Sequence, residues 1–234
     1  MSEETKVYGA TDWNQETNKK REDLPKLNWM KLKPGPNKVR TISKPHSFHF
    51  HNVKVEGEAG FGKKVYCTGQ ADCPVCLLGL STDNWELKSQ QHWLVAVINR
   101  ATKATEVLEI GKSVYEFIKT FNQDEEYGDP QKYDINIKKN PKNPPASYYH
   151  VTPYGLAPLT PEDLALKEAF DFQALQRKCL APTAEGVQKQ LDKLLEGGKK
   201  IAKPAPKPEK NGPGKAEDVV SEKSEEETPQ FLEK

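Results

Sequence analysis

The sequence has no apolar run approaching the ~18 residues of a membrane span. Its opening, Met1-Ser2-Glu3-Glu4-Thr5, has neither a basic start nor an apolar stretch, which predicts that no secretory signal is present. Nor is there a surplus of charge. Lys and Arg number 35 against 34 Asp and Glu, a formal net charge of +1, which excludes a uniformly basic nucleic-acid binder. Cysteines number only 4, and three of them crowd into ten residues. An even, spaced set in a secreted chain is missing, so a disulfide framework is excluded. With 35% hydrophobic and 29% charged residues, the 234 positions suit one domain with tails, or one domain plus a small module. No internal repeat is visible.

The balanced total hides opposed segments. Residues 1–24 are polar, with Lys19-Lys20-Arg21 the only basic cluster, and read as a flexible arm in which Tyr8 and Trp13 are the exceptions. Residues 199–216 are rich in Lys, Pro and Gly and read as an extended, disordered linker; six lysines against one glutamate give it +5. Residues 217–234 hold seven acids and two lysines, an acidic tail of −5. Linker and tail cancel, so the remaining body is itself at +1.

Residues 25–160 carry strand signals. The turn Pro34-Gly35-Pro36-Asn37 precedes a β-rich run from Val39 to Ile42. In the next run Phe48 and Phe50 share one face, and His49, His51 and Val53 the other. His92 to Ile98 is almost continuously apolar, as in a buried central strand, and Thr105 to Ile110 is its hairpin partner across the turn at 100–103. From Lys112 to Phe121 the period becomes helical; then Tyr133 to Lys138 and Tyr148 to Thr152 alternate as a strand pair. Short strands broken by turns predict a small barrel, mainly β with α, rather than a parallel sheet. Residues 161–198 are helical. Thr160 is an N-cap before Pro161, and Leu164, Ala169, Phe170, Leu175 and Cys179 form an apolar stripe. A second helix carries Val187, Leu191, Leu194 and Leu195 before Gly197-Gly198.

The sharpest chemical signal is Cys67-Thr-Gly-Gln-Ala-Asp-Cys73-Pro-Val-Cys76. Two thiolates separated by two residues grip one tetrahedral ion, and Cys67 supplies a third. His46, His49 and His51 lie upstream; His51 is the first choice for the fourth ligand and His49 the alternative. A redox Cys-x-x-Cys would leave Cys67 unexplained and lacks a βαβ setting. Four protein ligands leave no position for a catalytic water, so the set predicts a structural zinc in a subdomain at about 51–80 and no enzyme. Cys179 stands alone and reads as a core thiol.

Aromatic and basic residues interleave along the predicted barrel. Lys38, Arg40, Lys63, Lys64, Tyr66, Trp85, Lys88, His92, Trp93, Arg100, Tyr149 and Tyr154 are the candidate nucleic-acid contacts. Cations follow phosphates and rings stack on unpaired bases, the combination that single-stranded nucleic acid requires. In the tail, Glu225, Glu226 and Glu227 form an anion that competes for a basic groove, and Phe231-Leu232 is a candidate peptide ligand for partner proteins.

From about Lys26 to Leu166 the chain resembles phage single-stranded DNA-binding proteins of the T-even helix-destabilising type. The resemblance lies in the order of motifs: a strand-borne His, Lys-Lys-Val-Tyr-Cys67, Cys73-Pro-Val-Cys76, His92-Trp-Leu-Val-Ala-Val-Ile, and Leu108-Glu-Ile-Gly-Lys-Ser-Val-Tyr leading into a helix. It implies an OB-fold barrel with an inserted zinc-ribbon subdomain and a DNA cleft between the two. It implies a non-enzymatic protein that coats single-stranded DNA in phage replication, recombination and repair, in the cytoplasm of an infected bacterial host. It also implies an acidic tail that meets phage or host replication and recombination proteins. By the same resemblance Cys67, Cys73, Cys76 and His51 match the metal ligands. Trp93 matches an aromatic at the start of the central strand, His92 stands at a stacking position, and Tyr154 looks like a cleft aromatic. The family's basic N-terminal motif for cooperative polymerisation has no clear copy here, and the tail ends in Lys234 rather than in acids. A zinc-ribbon RNA-binding or transcription-associated factor uses the same features and is the alternative. Deleting residues 217–234 is expected to tighten binding to oligo-dT, chiefly at ~50 mM salt. A fluorescence titration of the full and shortened chains checks this, and equal affinities would remove the competition.

Overall fold

The computed structural model describes residues 27–60, 62–69, 71–144 and 147–204. The predicted arm at 1–24, the tail at 217–234 with Glu225, Glu226, Glu227, Phe231 and Leu232, and the linker from residue 205 onward lie outside the described residues. The described elements are β1 (Trp29–Met30), β2 (Gly35–Thr41), β3 (His46–Val53), β4 (Lys63–Tyr66), α1 (Pro74–Ser81), β5 (Gln90–Asn99), β6 (Ala104–Ile110), α2 (Lys112–Gln123), β7 (Tyr133–Lys139), β8 (Tyr149–Leu156), α3 (Pro161–Glu168), α4 (Phe172–Cys179) and α5 (Ala184–Leu195).

The predicted hairpin is β5–β6, antiparallel from Trp93↔Ile110 to Asn99↔Ala104. The opposite edge of β5 is shared by two strands in series. Val39–Thr41 of β2 pair with Asn99–Val97, and His46–Phe50 of β3 pair with Leu94–Gln90. Between them the chain bends without leaving the edge. The Ile42 N–H donates to the Ala96 carbonyl at 2.9 Å, and the Ser43 hydroxyl accepts from the Ala96 N–H at 2.9 Å. Pro45, which has no N–H, follows at the bend.

The run of apolar residues in β5 is explained by burial on both faces. Trp93, Val95 and Val97 enter one core with Leu108, Ile110, Val39, Ile135, Ile137 and Val151, and α2 packs Val114 and Ile118 into it. Leu94, Ala96 and Ile98 enter the other, with Phe48, Phe50 and Val107 beneath Leu166 of α3, Phe170 of the break after it, and Phe172 and Leu175 of α4.

The sheet order is β1-β6-β5-β2-β7-β8, with β3 and β4 branching from β5. The expected barrel is therefore not closed: β1 pairs in parallel with β6, β8 pairs with β7, and these two end strands do not pair with each other. Residues from β6 and β8 still share one core, so the sheet curls around it. Helix α2 packs against β8, with the Phe117 and His150 rings 6.5 Å apart. Strand count alone does not say whether the ends of a sheet meet.

The helical stripe also needs correcting. Thr160 is the expected N-cap and makes a capping box with Asp163, but the chain breaks after α3, and Asp171 caps α4 by accepting from the Ala174 N–H at 2.8 Å. The break changes the phase, leaving Leu164 46% exposed while Leu166 packs inward. Helix α5 carries Val187, Leu191, Leu194 and Leu195 as expected and lays them against the cysteine module. The first residues read as linker are folded: Val55 bridges Ile201, the Glu56 N–H donates to the Lys200 carbonyl at 2.8 Å, and the Ala202 N–H to the Lys54 carbonyl at 2.9 Å. No helix among the described residues is long and apolar enough to cross a membrane.

Asp134 of β7 holds β2, the β5–β6 turn and α3 in register. It accepts from Arg40 Nε at 2.8 Å and from Arg100 Nη2 at 2.9 Å, and Arg100 Nη1 reaches Asp163 of α3 at 2.6 Å. Burial would raise the Asp134 carboxyl, but the Arg100 and Arg40 guanidiniums outweigh it and hold the group below the usual carboxylate range. Hydrogen bonds from Arg100 do the same for Asp163. Because both folded values are depressed, this stabilisation is present above the ordinary carboxylate value, near pH 4, and is lost as pH falls through the folded values. Arg100→Leu is expected to cost about 2–3 kcal/mol at pH 7, below the usual cost for a fully buried pair. Melting would fall by about 5–10 °C. Thermal unfolding at pH 7 and at about pH 3 checks both points, since the variant should lose less than the parent on acidification.

Candidate metal centre and nucleic-acid interface

Strand β3 leaves the main sheet halfway along its length. Phe50 is its last partner for β5, and from Phe50 to Val53 it pairs instead with β4. His51, on the face opposite Phe50, therefore points into the module core beside Val53 and Val65. Strand β4 returns the chain to Cys67, whose N–H donates to the His49 carbonyl at 2.9 Å. Gly69, at φ +74, lets the next turn fold back so that its N–H reaches Cys67 Sγ at 3.4 Å. Cys73 then serves as N-cap of α1, with Pro74 in the first turn, and Cys76 follows one turn along.

His51, Cys67, Cys73 and Cys76 place their ligand atoms within 4.8 Å of one another. Cys67 and Cys76 sulfurs are 3.7 Å apart, and His51 Nε2 lies 3.5 Å from Cys73 Sγ and 3.6 Å from Cys76 Sγ. A tetrahedral ion with Zn–S of ~2.3 Å and Zn–N of ~2.0–2.1 Å requires edges of ~3.8 Å and ~3.6 Å, and these three of the six edges match it. His51 Nδ1 is 2.6 Å from the Leu87 carbonyl, which assigns the proton to Nδ1 and leaves the Nε2 lone pair for a metal. Burial lowers the pKa of His51, favouring the neutral ring that ligation needs. Burial and the neighbouring sulfurs push Cys76 up to about 12. Cys73 is also raised by burial, but the Cys76 and Thr68 backbone donors outweigh this and hold it below its ordinary value. Such a thiol cluster suits a cation that takes the place of its protons. The residues fit a structural zinc. His49, the alternative, sits two residues back along β3, about 6.6 Å away; it lines a small cavity with Tyr66, Cys67 and Cys179 and is not among the four clustered ligand atoms. Cys179 is half-buried in the second core and burial pushes its thiol up to about 11.

The twelve candidate nucleic-acid contacts do not form one surface. Arg40 is 2% exposed and engaged with Asp134 and the Ala157 carbonyl, and Arg100 is bound by two carboxylates, so both are structural. Lys38 pairs with Asp134 at 3.5 Å and lies over the Tyr154 ring at 4.4 Å. Lys63 pairs with Glu58. Lys64 and His92 both meet Glu109 at 2.6 Å, with the Lys64 ammonium 4.3 Å from the Phe50 ring. The His92 hydrogen bond, then Lys64, hold Glu109 below the usual carboxylate range despite burial. Tyr66 is half-buried 5.7 Å from Phe48, and Tyr149 packs edge-on to Tyr148. Trp85 and Lys88 are exposed beyond α1.

His92 and Trp93 do converge, at an open groove of about 920 Å³ that also takes in Pro45, Gln90, Gln91, Lys112 and Tyr115. The Trp93 and Tyr115 rings stack there at 3.8 Å and 2°. Pro45 and Tyr115 continue into a second cavity lined by Lys44 and Lys119. Tyr115, Lys44, Lys112 and Lys119 were absent from the candidate contacts. Lys112 and Lys119 are seven residues apart, two turns of α2, a spacing that places them on one helix face. No family model matches the chain, and neither a curated protein nor a solved structure matches it.

Purified protein is expected to carry about one zinc per chain, and Cys76→Ser about none. Chelation should remove at least about 4 kcal/mol of stability, the linkage for free metal ~1,000-fold above its dissociation constant. That corresponds to about 8–16 °C in melting temperature. Metal analysis and thermal melts check this; a parent protein free of zinc would overturn the assignment.

Proposed function

We propose that the chain is a non-enzymatic protein that coats single-stranded DNA with little sequence preference, on an OB-type sheet left open and a zinc-stabilised module. The observation that carries this reading is the groove in which the Trp93–Tyr115 stack and His92 stand beside Lys112, continuing towards Lys44 and Lys119. Rings at the floor and ammonium groups at the rim suit unpaired bases and the phosphates that join them. Glu116 also lines the groove, so its positive character is local, as the near-neutral body requires.

Zinc at His51, Cys67, Cys73 and Cys76 would have four protein ligands and would act as scaffold. The order of motifs resembling phage helix-destabilising proteins supports the same reading, and with it a role in phage replication, recombination and repair inside an infected bacterium. Preference for single strands shifts a duplex towards melting by linkage. The acidic tail would meet the partner proteins.

Titration of tryptophan fluorescence with oligo-dT at ~50 mM and ~200 mM salt tests the reading. Binding should weaken steeply with salt and exceed binding to duplex; duplex bound equally or more tightly would sink it. The matching RNA separates this reading from an RNA-binding factor. Tyr115→Leu should weaken binding about fivefold to 150-fold, the equivalent of ~1–3 kcal/mol for one stacked base. Lys112→Ala should reduce the slope of log affinity against log salt by about 0.7.

A further inference from the structure

The second cavity, about 590 Å³, shares Pro45 and Tyr115 with the groove and lies between α2 and the bend that joins β2 to β3. Its volume falls within the ~300–1,000 Å³ range of small-ligand sites. Val95, Ile110, Ile118 and the Tyr115 ring give it apolar walls. Lys44 and Lys119 stand at it as exposed cations, Lys119 3.8 Å from Glu116, and Asn122, Asp129 and Gln131 complete its polar rim. One feature of its lining is out of place for a plain crevice. Thr41 is 5% exposed, and its Oγ1 has no hydrogen-bond partner. Buried hydroxyls are nearly always paired, so an orphan in a cavity wall marks a place where an incoming group can supply the partner.

Apolar walls, one unpaired hydroxyl and a rim in which two cations outnumber the Asp129 carboxylate match a planar heteroaromatic ring with a polar edge, joined to an anion. A hydrocarbon would leave Thr41 and Lys44 unused, and a sugar would waste the apolar walls. We propose that this cavity is a nucleotide pocket. It receives one base of the bound strand, turned out of the groove past Tyr115, with the base between Ile110, Ile118 and Tyr115, its edge on Thr41 Oγ1 and its phosphate at Lys44 and Lys119. This rests on the single-strand reading above and adds to it that one nucleotide per bound segment leaves the stack. A free mononucleotide offers the same chemistry.

The test titrates the full chain, Thr41→Val and Ile118→Trp with oligo-dT and, separately, with thymidine monophosphate, alongside thermal melts. Thr41→Val keeps the shape and removes only the orphan hydroxyl, so its melting temperature should not fall. Its affinity for both ligands should drop about threefold to tenfold, the worth of one hydrogen bond. Ile118→Trp fills the cavity and should lower both affinities further. Unchanged oligo-dT affinity in both variants would overturn the pocket while leaving the single-strand reading intact. Thr41-dependent binding of the monophosphate without oligo-dT binding would support the pocket as a site for free nucleotide and overturn the single-strand reading. Binding of neither ligand would overturn both.

Discussion

Alternate side chains of β5 enter two different cores, Trp93, Val95 and Val97 on one side and Leu94, Ala96 and Ile98 on the other. A strand with no face left for water must be covered twice, and most of the architecture supplies that cover. On one side the sheet curls through β2, β7 and β8 and α2 fills the remaining gap. On the other, α3 and α4 lie across the strand. The ion pairs around Asp134 join the two sides, since they link strands of the curled sheet to the first turn of α3. The groove opens where this double cover ends, at the Gln90–Trp93 end of β5.

Strand β3 belongs to two bodies at once. Its first half extends the edge of β5 and its second half forms the wall of the cysteine module. The change occurs at Phe50, whose ring sits 4.8 Å from that of His92, while the next residue, His51, is a metal-ligand candidate. The His/Cys cluster and the aromatic cluster beside the groove are thus separated by one peptide bond and face opposite ways. Fixing His51 fixes the twist of the strand that carries Phe48 and Phe50.

Much of this was legible in the sequence. The hairpin, the helix after it, the β7–β8 pair and the Thr160 cap follow from local periodicity and capping chemistry, which act within a few residues. The cysteine spacing and the position of His51 sufficed to pick out the four side chains that cluster, because a knuckle is also a local structure. What failed was non-local. Arg40 and Arg100 read as phosphate contacts, but their partners Asp134 and Asp163 lie far along the chain, and only the fold brings them together. Tyr115 packs half-buried on the first core and also lines the groove, and its helical phase marks only the first of these places. Sheet closure is a property of the two ends meeting, and periodicity carries no record of it.

The return of the chain from α5 to bridge Val55 moves a boundary. Lys199, Lys200 and Lys203 belong to the folded body, so three of the six lysines of the 199–216 segment stand on a folded surface, and Lys207, Lys210 and Lys215 lie outside the described residues. The body gains positive charge on the cysteine module, where Lys199 already meets Glu58. A chain cut at residue 198 would therefore lose a sheet-edge cover as well as a tail, and would expose the Lys54–Glu56 backbone as an open edge for another chain to pair with.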